Sequence, residues 1–152
     1  MSSPPPRFRS KTVTAALAFL FGSLGAHRFY LNGWRDLAGW AHLVGTLLGV
    51  PGLLLLAQSE RASLLGWALA VPGAVSLLAA FLAAIVYGLR ADEKWDAQFN
   101  ASTDRRSQSG WTVIFIVIFS LLIGAFLLMT SLALSFQTYF ESQVQAAKEL
   151  SQ

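Results

Sequence analysis

The longest uncharged stretch of the chain runs from Ser107 to Phe140, where no Asp, Glu, Lys or Arg occurs and most residues are apolar. The hydrocarbon core of a bilayer is about 30 Å thick, and an α-helix needs about 20 apolar residues to cross it. A soluble domain of 152 residues rarely contains even one such run. The stretch therefore indicates a chain that resides in a membrane.

Further apolar segments bring the expected number of transmembrane helices to about four. The apolar segments are 12–26, 37–57, 62–89 and 111–136. The first of them is short, so it crosses a bilayer only if its helix continues through His27 and Arg28 to about Leu31. The fold class we expect is an all-α membrane protein whose first two helices form a hairpin with a short loop.

The distribution of polar residues divides the chain into four parts. Three consecutive prolines at positions 4 to 6 favour an extended backbone in the first ten residues. The expected parts are a disordered tail at 1–10, a two-helix membrane hairpin at 11–57, a second transmembrane pair at 58–136 with a polar loop at 90–110, and a polar C-terminal tail at 137–152.

The first apolar segment has a second interpretation, which the sequence leaves open. A basic leader followed by apolar residues, with Ser23 and Gly25 at small-residue spacing, is also the pattern of a secretory signal peptide, cleaved within or after residues 12–25. The residues that follow are aromatic and basic, among them Tyr30 and Trp34, which is typical of an interfacial turn. We therefore favour a retained hairpin.

Charge and cysteine content exclude some classes of function. The formal net charge is +3 and the pI is near 9.7, but the basic residues lie beside apolar segments rather than on a soluble basic face. Anionic lipid headgroups are the expected counter-charge, and nucleic acid is not an expected partner. Because there is no cysteine, disulfides, thiolate catalysis and cysteine-ligated metals are excluded.

One motif lies at the junction of the first apolar helix and the loop after it. The seven residues from Gly25 to Leu31 read Gly-Ala-His-Arg-Phe-Tyr-Leu, and Lys11 precedes the helix. With that context, residues 11–57 resemble the TM-two domain family, whose bacterial members are often called NINE proteins. The chain departs from the family pattern at Asn32, which stands before Gly33, and it lacks the aspartate that the family commonly has near the end of the second helix.

The resemblance implies a multi-pass membrane protein without an established catalytic activity, and a loop that serves contacts or signalling. The segment from Asp92 to Asn100 is similar to a stretch of bacterial relatives that have additional transmembrane helices. We therefore predict contact residues in the loop and in this segment: His27, Arg28, Phe29, Tyr30, Asp92, Trp95 and Phe99. A structural alternative is that Arg28 anchors the helix end and pairs with Asp36.

His42 is the only titratable side chain well inside an apolar run. Ionisable groups at such depth are functional candidates, but we favour a packing role for His42 together with Gly45 and Gly49, which form a GxxxG motif. Two histidines without cysteine or nearby carboxylates cannot complete a zinc site. No metal, cofactor or catalytic residue is predicted.

The function we expect is non-enzymatic, through protein or lipid contacts in a membrane, with the bacterial inner membrane as the expected location. The alternative is a small transporter or channel subunit that uses His42. Besides the bilayer, a membrane-protein partner or a second copy of the chain remains open. Four crossings would place both termini and the turn at 58–61 on one face, which divides the basic residues five to six and leaves the orientation open.

Overall fold

The computed structural model describes residues 7–151, and within that range every regular element is a helix. The helices are α1 (Lys11–Phe21), α2 (Ala26–Asn32), α3 (Leu37–Gln58), α4 (Leu64–Leu89), α5 (Asp92–Phe99) and α6 (Trp111–Leu150), with a 3-10 helix at Gly22–Leu24. α3, α4 and α6 are long and apolar enough to cross a membrane, and the apolar stretch Lys11–Leu24 is shorter. The expected all-α membrane fold is thus confirmed.

The helices α3 and α4 pack antiparallel at very close range because glycines face each other. A Cβ on Gly49 would lie 2.6 Å from the Gly73 Cα, and a Cβ on Gly45 would lie 2.9 Å from the Pro72 carbonyl oxygen. Side chains at these positions would push the two helices apart. The predicted packing residues Gly45 and Gly49 are therefore located inside this helix pair, within one chain.

The long helix α6 packs along the other side of α4. A Cβ on Gly124 would contact the Phe81 side chain at 3.1 Å, and Arg61, in the turn after α3, pairs with Glu141 at 3.2 Å. These contacts place the start of α4 beside the later part of α6. We call the end of the bundle with the α3–α4 turn the turn end, and the end with α5 and residues 90–110 the loop end.

The first apolar segment does not continue as one helix to Leu31. After the 3-10 helix, Gly25 adopts a φ of +76°, a left-handed conformation, and α2 begins at the next residue. α2 returns beside α1, so that the Ser10 backbone N–H donates to the Tyr30 hydroxyl at 3.1 Å. We call α1, the 3-10 helix and α2 the N-terminal hairpin.

The N-terminal hairpin therefore enters and leaves the bundle at the loop end. Lys11 Nζ lies 2.7 Å from the Arg90 carbonyl oxygen, while at the tip of the hairpin the Ser23 carbonyl accepts from Ser76, midway along α4. The arrangement differs from four successive crossings: the described N-terminus lies at the end opposite the α3–α4 turn. The reason is the left-handed turn at Gly25, which apolarity alone does not reveal.

Candidate functional site

A cluster of polar residues closes the loop end, and its first part is the segment Arg7–Ser10. The Arg9 N–H donates to Asn100 Oδ1 at 2.7 Å, and the Arg9 carbonyl accepts from Trp95 Nε1 at 2.8 Å. Both backbone groups of Arg9 are thus satisfied by side chains of α5 and of the residue that ends it. Of the tail predicted to be disordered, residues 1–6 lie outside the described residues, and Arg7–Ser10 has no regular secondary structure but is bound to the fold through Arg9 and Ser10.

Lys11 is the second part of this cluster. We call the whole cluster, in which Arg7–Ser10 and Lys11 bind side chains of α5 and Asn100, the polar cap. Its side chain is only 4% exposed, and its ammonium group lies 2.6 Å from Asp92 Oδ1. A buried ammonium group without a carboxylate would lose its hydration without compensation. The ion pair therefore ties the start of α1 to the start of α5.

Two aspartates of α5 hold the loop that leads into α6. Asp96 accepts from the Ser107 backbone N–H at 2.6 Å and from its hydroxyl at 2.7 Å. Asp92 binds the backbone N–H and hydroxyl of Ser109 in the same way. Asn100 Nδ2 also donates to Asp96 Oδ1 at 2.6 Å, so the carboxylates connect the loop to α5.

These contacts shift the pKa of both carboxyl groups. Burial alone would raise the pKa of Asp96, but hydrogen bonds from Asn100 and Ser107 outweigh burial and hold the pKa below its usual value. Burial acts on Asp92 in the same direction, and hydrogen bonds from Lys11 and Ser109 again lower its pKa. Both groups are therefore carboxylates at neutral pH.

The lowered pKa of Asp96 predicts a pH dependence of stability. A carboxyl group with a depressed folded-state pKa stabilises the fold above its unfolded pKa of about 3.9, and this contribution is lost as the pH falls through the folded value. We therefore expect the difference in unfolding free energy between the native chain and Asp96→Asn to stay constant from pH 7 to about pH 4 and to shrink below. Unfolding in detergent at several pH values measures it, and a difference that already disappears between pH 7 and pH 5 would contradict the carboxylate role.

A second ion pair fixes the start of α3. Arg28 of α2 donates from two nitrogens to the Asp36 carboxylate, at 2.9 and 3.2 Å, and Asp36 also accepts from the Gly39 N–H at 2.9 Å as the N-cap of α3. Burial would raise the pKa of Asp36, but the bonds from Asn32, Gly39 and Arg28 lower it. In the structure Arg28 therefore pairs with Asp36 at the start of α3, as the structural alternative for Arg28 predicts.

The two histidines meet inside the bundle, below the polar cap. His27 is 1% exposed, its ring centroid is 5.3 Å from that of His42, and its Nδ1 has no hydrogen-bond partner among the described residues. His42 Nδ1 lies 3.0 Å from the Ser76 hydroxyl of α4. The pair therefore joins α2, α3 and α4.

The predicted contact residues fall into two groups. His27 and Trp95 are buried, and Trp95 packs against Tyr87 of α4 with ring centroids 5.8 Å apart. Arg28, Phe29, Tyr30, Asp92 and Phe99 are partly exposed at the loop end. Phe29 stacks on Trp34, which is itself 73% exposed. The accessible surface of the loop end thus includes the loop but not the two buried rings.

Sequence reasoning missed Lys11, Asp96 and Asn100 as parts of one cluster. In the sequence, Lys11 looks like an ordinary basic residue that flanks an apolar helix. Asn100 is the first residue of an Asn-Ala-Ser sequon, which does not suggest a buried side chain. Asp96 and Asn100 are four residues apart on the side of α5 that carries Trp95, and this spacing is the signal that could have suggested a buried polar face.

Comparison with known families identifies a domain in the first third of the chain. Residues 7–58 match the family model of the TM2 domain, which confirms the resemblance to the TM-two domain family for that segment. No curated protein and no solved structure matches the chain significantly. No group of three or more His, Cys, Asp or Glu side chains that could hold a metal ion occurs within residues 7–151.

Proposed function

With a TM2 domain at residues 7–58 as the premise, we propose that this integral membrane protein is non-enzymatic and acts through contacts of its loop end with lipid headgroups or a membrane-protein partner. The proposed location is the bacterial inner membrane. The buried Lys11 and Asp96 side chains and the partly exposed Asp92 side chain are each bound by other protein groups. That supports a structural rather than a catalytic use of these charges.

The distribution of charge between the two ends is the observation that carries the proposal. Nine of the eleven basic residues lie at the loop end, and only Arg61 and Lys148 lie at the turn end. The five acidic residues at the loop end leave it a net charge of +4, against −1 at the turn end. Basic residues next to transmembrane helices favour the cytoplasmic face and attract anionic lipids. We therefore propose that the loop end faces the cytoplasm.

Photocrosslinking tests the proposal in native membranes. A photoreactive residue is placed at Tyr30 or at the exposed Lys94 of α5, and a control is placed at Gln145 at the turn end. Trp95 is unsuitable because it is buried. We expect a protein or an anionic lipid to be captured from both loop-end positions and not from Gln145. Capture of the same products from all three positions, or of nothing from the loop end, would refute it.

A transporter or channel subunit remains the second candidate function, and the contact of His27 with His42 favours it. Ionisable side chains inside a bundle are the usual elements of proton or ion pathways. Flux through proteoliposomes that His42→Ala abolishes would support this candidate over a contact protein. Equal flux for the native chain and the variant would argue against it.

A further inference from the structure

A groove runs between α4 and α6 in the half of the bundle near the turn end. Its outer part, beside the α3–α4 turn, has a volume of about 770 Å³, and its inner part, which α3 also lines, has a volume of about 290 Å³. The residues of α6 that line the two parts follow one another at steps of three or four: Gln145, Ser142, Thr138, Ser135, Ser131 and Leu127. Such positions share one side of a helix, so the two parts form one feature, which we call the turn-end groove.

The tip of the N-terminal hairpin closes the inner part of the turn-end groove. Ser23 at this tip lines the inner part, and its carbonyl accepts from Thr46 of α3 and from Ser76, midway along α4. From Trp67 in the outer part to Leu78 in the inner part, the groove follows α4 for about 16 Å. This length is about half of a 30 Å hydrocarbon core. The hairpin therefore fills the bundle in the leaflet of the loop end, and the groove lies in the opposite leaflet.

The inner part of the groove has an apolar character although serine and threonine contribute to it. Thr46 donates its hydroxyl proton to the Ser23 carbonyl, and Ser131 donates to the Leu127 carbonyl of its own helix. Among the described residues, no charged side chain lines the inner part. A polar solute would lose its hydration there, whereas a hydrocarbon chain would gain the dispersion contacts that an empty cavity lacks. The inner part is therefore suited to an acyl chain.

Charged side chains line the mouth of the groove, in the α3–α4 turn. Glu60 and Arg61 have φ values of +48° and +71°, which are uncommon for residues other than glycine, and both line the outer part. Arg61 binds Glu141 through Nη2 at 3.2 Å, and Glu60 takes part in no ion pair among the described residues. The Trp67 indole donates to the Arg61 carbonyl, and tryptophan is typical of the headgroup level of a membrane. A guanidinium group and an unpaired carboxylate are thus adjacent at the level of lipid headgroups.

From these observations we propose that the turn-end groove binds one phospholipid whose headgroup carries a primary ammonium group. An acyl chain occupies the inner part, below the hairpin tip. The phosphate binds the guanidinium group of Arg61, and the ammonium group donates to the Glu60 carboxylate. A headgroup without an amine would leave Glu60 without a counter-charge, and a quaternary amine has no N–H to donate. The site lies at the turn end and does not depend on the contacts proposed for the loop end.

Native mass spectrometry tests the headgroup. The full chain is reconstituted in equal amounts of phosphatidylethanolamine, phosphatidylcholine and phosphatidylglycerol with identical acyl chains, and is then released into a mild detergent. We expect a single retained lipid per chain, with phosphatidylethanolamine enriched several-fold. Glu60→Gln should remove this enrichment, and Glu93→Gln, at an exposed position of α5, should keep it. Equal retention of the three lipids by the native chain, or retention of none, would overturn the proposal.

Filling the inner part of the groove tests the position of the acyl chain. Ser131→Phe places a ring in the groove, and Thr130→Phe places the same ring at the adjacent exposed position of α6, outside the groove. We expect Ser131→Phe to lower the fraction of lipid-bound chains several-fold and Thr130→Phe to leave it unchanged. Equal lipid retention by the two variants would contradict the proposed position.

Arg61→Gln provides a second measurement that does not alter the interior of the bundle. It should also lower lipid retention several-fold, because the phosphate loses its guanidinium partner. Arg35→Gln, at an exposed position of the loop end, is the control and should retain as much lipid as the native chain. Unchanged retention in Arg61→Gln would overturn the proposal.

Discussion

Replacement of Gly25 by alanine is expected to lower the free energy of unfolding by more than about 4 kcal/mol or to prevent folding. Gly25 has a φ of +76°, where an L-residue costs about 1–2 kcal/mol. An alanine Cβ would in addition overlap the Gly39 carbonyl of α3. Because this obstacle is backbone rather than a flexible side chain, the N-terminal hairpin could not close against α3.

Gly33→Ala is the matched control for this substitution. Gly33 also has a positive φ, +81°, but a Cβ there would meet nothing within 4 Å. The control therefore carries a backbone cost of about 1–3 kcal/mol without the steric one. Denaturation in detergent measures both variants. Similar losses for the two would contradict a close approach between Gly25 and Gly39.

Replacement of Lys11 by methionine is expected to destabilise the fold by about 3–5 kcal/mol, the usual cost of breaking a buried ion pair. The variant keeps much of the apolar stem but removes the ammonium group that bonds to Asp92 and to the Arg90 carbonyl. Lys94→Met is the control, because Lys94 is exposed on α5. It should change stability by less than about 0.5 kcal/mol.

A double-mutant cycle separates the ion pair from general loss of packing. Lys11→Met and Asp92→Asn each leave one charge without its partner, and the combined variant leaves neither. The combined loss is therefore expected to be smaller than the sum of the two single losses, by about 1–3 kcal/mol. Additive losses in the unfolding free energy would show that the two side chains do not interact.

The long helices could be predicted from the sequence because hydropathy and length decide them. Ser107 to Phe140 has no charge, and α6 includes its apolar core. The path of the first segment could not be predicted, since the fifteen residues 12–26 are compatible with a short crossing or with a hairpin. The left-handed conformation at Gly25 decides between them, and the close packing of Gly25 on Gly39 of α3 that accompanies it is not visible in hydropathy.

The loop end was only partly predictable for a similar reason. The motif from Gly25 to Leu31 identified the region, but which of its residues are surface residues depends on packing from elsewhere. His27 is covered by Tyr87 and His42, and Trp95 is covered by Tyr87 and the Arg9 backbone. These neighbours come from segments that no local pattern connects with the motif.

The N-terminal hairpin explains why the two ends of the bundle differ in charge. A chain with four crossings would not show this difference. With the N-terminus at the turn end, basic residues would divide almost equally between the two faces. The contacts of Arg9 and Lys11 with α5 instead bring the basic N-terminus to the loop end. The resulting excess of positive charge at one end is what orientation in a membrane depends on.

Site-directed thiol labelling with a membrane-impermeant reagent tests this arrangement most directly, because the native chain has no cysteine. Single cysteines replace Arg7, Ser102 and Gln145, which are all exposed. The account predicts that the cysteines at positions 7 and 102 are labelled from the same side of the membrane and the one at 145 from the other. Labelling of positions 7 and 145 from one side, with 102 on the other, would contradict it.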